Sequence, residues 1–500
     1  MAQPTRRNFW SSNVTVDSSS PVPKIRQVYE QLRDAIIDGR LSADDALPST
    51  RELARALGVA RNTIAFAYEL LVAEGYAVSR GGAGTFVAHG VLRSAPSIHA
   101  ESIEPRTLSQ TADLLRVWGL PGLVPLARPF RPSAPAFDAF PRSKWANIVA
   151  PIVRDKRALW MTAGDPLGHP PLRGAIAQHL RIVRSFRCEP GQIMIVSGSQ
   201  VGQYLSSLLL MNQDESMWIE DPGYLNARLT FQCRTSRLIP VPTDDSGIDI
   251  EAGKLLSPNP RVIYVTPAHQ WPLGPKMSLQ RRLALLEFAA QRDAWIIEDD
   301  YDGDLRYDGK TYEALCGLDE ARRVIHLGTF TKTMFPGLRI GYIVLPPDLV
   351  DAFTAGHEIL DRFPNTIAQA ALAEFLETGA YARHLHDMRA LYLERHELLR
   401  EAISKQLRGF LEAKKAETGT FTVTELASGA DDVSLVNALR AEGFDSCPLS
   451  AAYATKPAAK RGLLLGHAVA KPEEISKGVS AIARIASRWL PVGQPSDDET

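Results

Sequence analysis

Five uninterrupted apolar runs limit most strongly what this chain can fold into: "QIMIVSG", "ESMWIED", "RVIYVTP", "AWIIEDD" and "RVIHLGT", all between residues 192 and 329. A strand with one wet face alternates apolar and polar residues; a strand covered on both faces does not. Helical stretches separate the runs, so the pattern predicts parallel strands with helices on both faces of the sheet. Open sheets of this kind bind ligands at the carboxyl ends of their strands. Chemistry is expected there.

At 500 residues the chain exceeds one ordinary core, which predicts two or more domains. Apolar residues make up 45% and charged residues 23%, the balance of a folded globular protein. Net charge is −1, so any basic surface for nucleic acid must be local. Cys188, Cys233, Cys316 and Cys447 are scattered without a C-x-x-C pair, which reads as reduced cytoplasmic thiols and no metal site. "TRRNFW" resembles a twin-arginine export signal, but the polar "SSNVTVDSSSPVPK" follows where such a signal needs an apolar stretch. No apolar run reaches the ~18 residues of a membrane span. A soluble, cytoplasmic protein is expected.

Residues 1–22 read as a loose polar tail. Between 23 and 88 the pattern turns helical. Ile25, Val28, Leu32 and Ile36 share a face, Ser49 and Glu52 have the spacing of a capping box, and Gly58 makes a tight turn before a third helix with Ile64, Tyr68 and Leu71 inward. "YAVSR", "GGAG" and "TFVA" then read as a hairpin. Three helices and a hairpin make a winged helix-turn-helix. Residues 89–124 lack period and read as a linker, 125–490 as the α/β domain, and 491–500 as a tail. Within 365–489 the pattern shifts to long helices with a short strand and a final helix, a smaller C-terminal α/β subdomain.

Four strand ends carry polar groups. In "VSGSQ" a strand passes through glycine into a helix start, where the N–H groups of Ser199 and Gln200 can meet an anion; many α/β turns look the same. "IIEDDYDG" puts carboxylates where an apolar strand stops, either a hydrated cluster or acids that need a cation. "EDPGY" places Tyr224 after a turn, as a ligand contact or as packing. "GTFTKTMFPGLRIGY" sets Lys332 between threonines, with Arg339 seven positions on. Lysine, carboxylate, helix start, aromatic ring and arginine together form the set that pyridoxal 5'-phosphate requires: an amine for the aldehyde, an acid for the pyridine nitrogen and a cradle for the phosphate.

These motifs, with "LPSTRELARALGVARNTI", "FPRSKW", "GDPLGHPPLR" and "RGLLLGHA", cover nearly the whole chain. From about residue 125 to 489 it resembles fold type I, aspartate-aminotransferase-like enzymes; with the head attached, it resembles the MocR/GabR-type subfamily of GntR regulators. The resemblance implies Lys332 as the Schiff-base lysine and Asp299 as partner of the pyridine nitrogen, with Asp300 the alternative. It implies Tyr301 on the phenolic oxygen, Tyr224 stacked on the ring, and Ser199, Gln200, Thr329 and Arg339 around the phosphate, with Thr331 beside them. Two departures stand out. Trp271, in "HQWPLG", stands where these enzymes carry a ring-contacting asparagine. Leu464, in "GLLLGH", stands where they carry the arginine that clamps a substrate carboxylate, while Arg461 on a strand would face the other side. Arg228 or His467 are the candidates to replace it, and His269, Gln270, Trp271 and Arg228 the candidates to line an effector pocket.

In the head, "RNTI" opens the third helix, the one that enters the major groove in helix-turn-helix proteins. The resemblance to GntR domains implies Arg51, Arg61 and Thr63 on phosphates or base edges, Asn62 on adenine, and the wing turn at Gly84 near the minor groove. Ala60 stands where a capping serine or threonine is common. The expected function is a transcription regulator that binds a double-stranded DNA operator as a homodimer and senses a small amine through its cofactor. The alternative is a working aminotransferase carrying a DNA-binding module.

Overall fold

The structure is a computed structural model that describes residues 14–90, 107–117 and 128–487, apart from 158, 236, 311, 428–429 and 456–458. The chain divides into two compact units, Met1–Leu108 and Ser109–Thr500.

The first unit contains helices α1 (Lys24–Ile37), α2 (Thr50–Leu57) and α3 (Arg61–Ala73) and the antiparallel hairpin β1 (Ala77–Arg80) and β2 (Gly84–Val87). The Ser49 side chain accepts from Glu52 N while Glu52 accepts from Ser49 N, which starts α2 with a complete capping box. Gly58 closes α2 at φ 64°, a left-handed turn that a side chain disfavours. Ala60 gives α3 no side-chain cap. Val28, Leu32, Ile36, Leu53, Ile64, Tyr68 and Leu71 form the buried core, each contributing roughly 1.5–3 kcal/mol of transfer energy. Residues 14–22 differ from the loose tail expected. Val14 is buried in that core, Thr15 N donates to Gln31 Oε1 at 2.9 Å, and Gln27 Nε2 donates to Asp17 O at 3.0 Å. Residues 1–13 of the expected tail lie outside the described residues.

In the second unit a helix, Gln110–Val117, forms inside the stretch read as linker; 91–106 and 118–127 lie outside the described residues. The main sheet has eight strands: β3 (Ile193–Val196), β4 (Met217–Asp221), β5 (Leu238–Asp244), β6 (Gly247–Ile248), β7 (Val262–Val265), β8 (Trp295–Asp300), β9 (Val324–Thr329) and β10 (Gly341–Val344). Their order is β3-β10-β9-β8-β7-β4-β5-β6. β9, β8, β7, β4 and β5 are mutually parallel, as the apolar runs predict for β4, β7, β8 and β9. β3 departs from that reading. It points the same way but pairs only with β10, which is antiparallel to both β3 and β9. Burial on two faces explains the uninterrupted runs. In β3, Ile193 and Ile195 pack with Leu172, Ile176 and Leu180, while Met194 and Val196 pack with Leu205 and Phe353.

β3 passes through Gly198 into helix α4 (Ser199–Leu210). After the long helix Ala380–Gln406, four short strands form a second sheet in the order β11-β12-β14-β13: β11 (Leu411–Ala413), β12 (Thr422–Leu426), β13 (Cys447–Pro448) and β14 (Leu463–Leu465). One short strand was expected here; β11, β13 and β14 have only two or three residues each, too few to show a period. Helices Asp432–Ala441 and Pro472–Ala486 pack this sheet through Leu435, Val479 and Ile482. The 491–500 tail lies outside the described residues.

Candidate functional site

The end of β8 separates three adjacent carboxylates by strand alternation. Glu298 accepts from Leu315 N at 2.7 Å and Cys316 N at 3.0 Å and meets His326 Nδ1 at 3.0 Å, and these partners hold its pKa below the usual value despite burial. Asp300 pairs with Arg184 and accepts from Gly303 N at 3.1 Å. Between them Asp299 turns the other way, into a cavity. Its Oδ2 accepts from Gln203 Nε2 at 2.8 Å and Tyr264 Oη at 2.7 Å, while its buried Oδ1 has no partner among the described residues. Burial pushes its pKa up to about 6 against the pull of those two donors. Asp299, not Asp300, faces the cavity.

Lys332, three residues past β9, lines the same cavity. Burial lowers its pKa to about 8, opposed by the charges of Asp302 and Asp299. Thr329 Oγ1 donates to Thr331 Oγ1 at 3.0 Å and accepts from Thr331 N at 3.2 Å, which shapes the turn before the lysine. At the start of α4, Gly198 has φ 108° and offers no side-chain cap, so the first N–H groups of that helix remain open. A Cβ on Gly198 would stand 3.4 Å from Arg339 Nη1. The bare helix start and the guanidinium therefore converge, and among the described residues the Arg339 side chain has no hydrogen-bond or ion-pair partner.

Ser199, Gln200, Tyr224, Asp299, Tyr301, Thr329, Lys332 and Arg339, expected from four separate motifs, all line this one cavity, with Thr331. The donor set fits pyridoxal phosphate: an unpartnered buried carboxylate oxygen for a ring N–H, an unpaired guanidinium and helix start for the phosphate, and an amine of lowered pKa.

Sequence reasoning missed the residues behind these groups. Tyr264 and Gln203 aim Asp299; Gln203 lies one helical turn from Ser199, a spacing that could have shown it. Tyr301 Oη is 2.9 Å from His269 Nδ1, and the same nitrogen is 2.7 Å from Asp302 Oδ2, so one proton serves one of two bonds. Only the fold brings these three groups together.

The departures are equally definite. Trp271 lines the cavity and stands edge-on to Tyr224, ring centroids 5.4 Å apart. Leu464 is fully buried in β14. The candidates to replace the missing arginine are otherwise engaged. Arg228 donates to the carbonyls of Ala452 at 3.3 Å and Ala451 at 3.1 Å, and it does not line the cavity. His467 sits between Tyr307 Oη and Thr422 Oγ1, both at 3.0 Å, and burial holds its pKa well below the usual histidine value. Arg461 is exposed and donates to Ala430 O at 3.2 Å. Of the four residues expected around an effector, Trp271 lines the cavity, while His269, Gln270 and Arg228 stand behind it. Gln270 Nε2 donates to Pro222 O at 2.7 Å.

In the first unit, Arg51, Arg61, Asn62 and Gly84 are exposed and Thr63 is half-buried. Arg61 Nε donates to Thr50 Oγ1 at 3.2 Å, which ties the start of α3 to the start of α2.

Family models agree with both halves. "Bacterial regulatory proteins, gntR family" matches residues 24–87 and "Aminotransferase class I and II" matches residues 146–448. The probable rhizopine catabolism regulatory protein MocR of Rhizobium meliloti is 36% identical over 485 residues, covering 94% of this chain and 95% of that protein. The chain belongs to the MocR/GabR-type gntR regulators. The HTH-type transcriptional regulator TauR of Rhodobacter capsulatus is 31% identical over 470 residues, covering 92% of this chain and 95% of its own. Among solved structures, kynurenine aminotransferase of Pyrococcus horikoshii in complex with PMP is 26% identical with a TM-score of 0.67, covering 78% of this chain and 96% of that one. This MocR/GabR-type protein is a DNA-binding transcription regulator, and its large unit is a fold type I domain for pyridoxal phosphate. Among the described residues, no helix is long and apolar enough to cross a membrane.

Proposed function

We propose that this regulator senses a small amine through its cofactor cavity and passes the event to the DNA-binding unit. When bound, pyridoxal phosphate supplies an aldehyde carbon at which amines exchange and a ring that withdraws electrons from it. Asp299 Oδ1 would hold the ring N–H, Tyr301 the phenolic oxygen, and Tyr224 the ring face. Ser199, Gln200, Thr329 and Arg339 would hold the phosphate. With a pKa of about 8, roughly a tenth of Lys332 is unprotonated at pH 7, against about 0.03% for an ordinary lysine at 10.5. That makes it a nitrogen able both to bond the cofactor and to yield its place.

The observation that carries the proposal is the convergence of three unspent groups on one cavity: the Lys332 amine, Asp299 Oδ1 and the Arg339 guanidinium. An amine that binds one conformation better than another shifts operator binding by that difference in affinity. Arg51, Arg61, Asn62 and Thr63 would contact the operator with the wing at Gly84, in a homodimer that reads paired half-sites in the cytoplasm. The decisive experiment is the visible absorption of the cofactor-loaded protein beside operator binding by the same sample. Lys332→Ala should abolish both the lysine-dependent band and the effect of an amine on DNA affinity. A variant that keeps the amine response would sink the proposal.

A further inference from the structure

The two departures from the aminotransferase pattern belong to one apolar cluster, of which Trp271 reaches the cofactor cavity and Leu464 stands behind it. Leu464 lies in an apolar cluster with Phe421, Val423 and Tyr453, and Trp271 packs against the same cluster while also lining the cofactor cavity. Where the enzymes carry an asparagine and an arginine, this chain carries an indole and a leucine. Resting on the proposed sensing function, we infer that the effector is a primary amine with no carboxylate on its amine-bearing carbon, received against an apolar wall that Trp271 presents and the Leu464 cluster backs.

A carboxylate needs a guanidinium fork or an equivalent set of donors, and against apolar side chains it loses its hydration without replacement. Among the described residues lining the cavity, the cations are Lys332 and Arg339. The first is committed to the cofactor's reactive carbon, and the second stands at the Gly198 cradle for its phosphate. Cations farther out are occupied. Arg228 serves two carbonyls, and Arg131 donates through Nη1 to Asp445 Oδ2 at 2.6 Å, while Arg440 Nε takes the other oxygen at 2.9 Å. The charge of Arg131 does reach Lys332, whose pKa it lowers, so among the described residues it is the rival to test.

The test uses full-length, cofactor-loaded protein titrated with matched pairs: phenethylamine and phenylalanine, isoamylamine and leucine, ethanolamine and serine. Half-saturation of the change in the visible band is compared at equal concentrations of unprotonated amine. In each pair that responds, the carboxylate-free member should half-saturate at about tenfold lower concentration or less, the scale of one lost charged hydrogen bond. Trp271→Asn should narrow that gap; a gap it leaves unchanged overturns the wall as the cause. Amino acids that bind as well as their amines overturn the inference and leave sensing intact, and loss of that binding in Arg131→Gln would show that the clamp has moved there. A band indifferent to both classes overturns sensing itself, and this inference with it.

Discussion

The Asp299 side of the cavity and the Arg184 cluster behind it use similar charged groups in opposite ways. Arg184 is saturated: it pairs with Asp300 and meets Asp304 at 3.1 Å, and Asp304 in turn is held by His179 at 3.0 Å and Tyr381 Oη at 3.0 Å. These partners drive the Asp304 pKa well down and the Arg184 pKa well up, despite burial. On the cavity side, Asp299 Oδ1 has no partner and its pKa moves up. Saturated charges hold a fold together. Charges left short of partners mark where a ligand is due, and they cost stability until it arrives.

The largest test of that contrast is Arg184→Met. It leaves Asp300 and Asp304 buried without their cation and should cost about 3–5 kcal/mol in denaturant unfolding. A loss below about 1 kcal/mol would remove the distinction between the two regions.

Asp299→Asn should act with the opposite sign. The folded pKa of Asp299, about 6, lies above the ordinary aspartate value of 3.8, so the native state binds more protons between those values and its stability falls as pH rises through them. Cofactor-free Asp299→Asn should therefore be more stable than wild type at pH 7, by on the order of 2 kcal/mol, and indistinguishable from it near pH 3.5. In the loaded protein the same change should weaken cofactor retention. Unfolding of both forms across pH checks this, and a variant less stable at pH 7 without cofactor would contradict it.

The smallest effect belongs to the first unit, where α3 also starts without a side-chain cap. Ala60→Ser should raise the thermal stability of the protein by about 1 kcal/mol. If the open N–H groups meet an operator phosphate, the same change should lower DNA affinity, and fluorescence anisotropy with operator DNA would show whether it does.

How far the site was legible depends on how local each signal is. Lys332, Asp299, Arg339 and Ser199 stand out because an apolar run must stop before them, and a strand end is written in consecutive residues. The choice between Asp299 and Asp300 was not legible, because it depends on which face of β8 the strand turns to the cavity. Tyr264 and Gln203 stayed hidden because a tyrosine in an apolar run and a glutamine in a helix look like ordinary packing. β10 was missed as well. Its "GYIV" is four residues long, and its place between β3 and β9 depends on strand pairing across more than a hundred residues.

The amino-acid order alone determined that a winged head precedes a mostly parallel sheet covered on both faces, and that a lysine, an acid and an arginine sit at its strand ends. Periodicity and caps are short-range, so they survive in one dimension. Only the tertiary structure decided which of those groups keep an unspent bond, and that Trp271 packs on the cluster that holds Leu464. Hydrogen-bond saturation and packing depend on neighbours distant in the chain, Trp271 against the cluster that holds Leu464 and Asp299 beside Tyr264 and Gln203, and no local pattern records them.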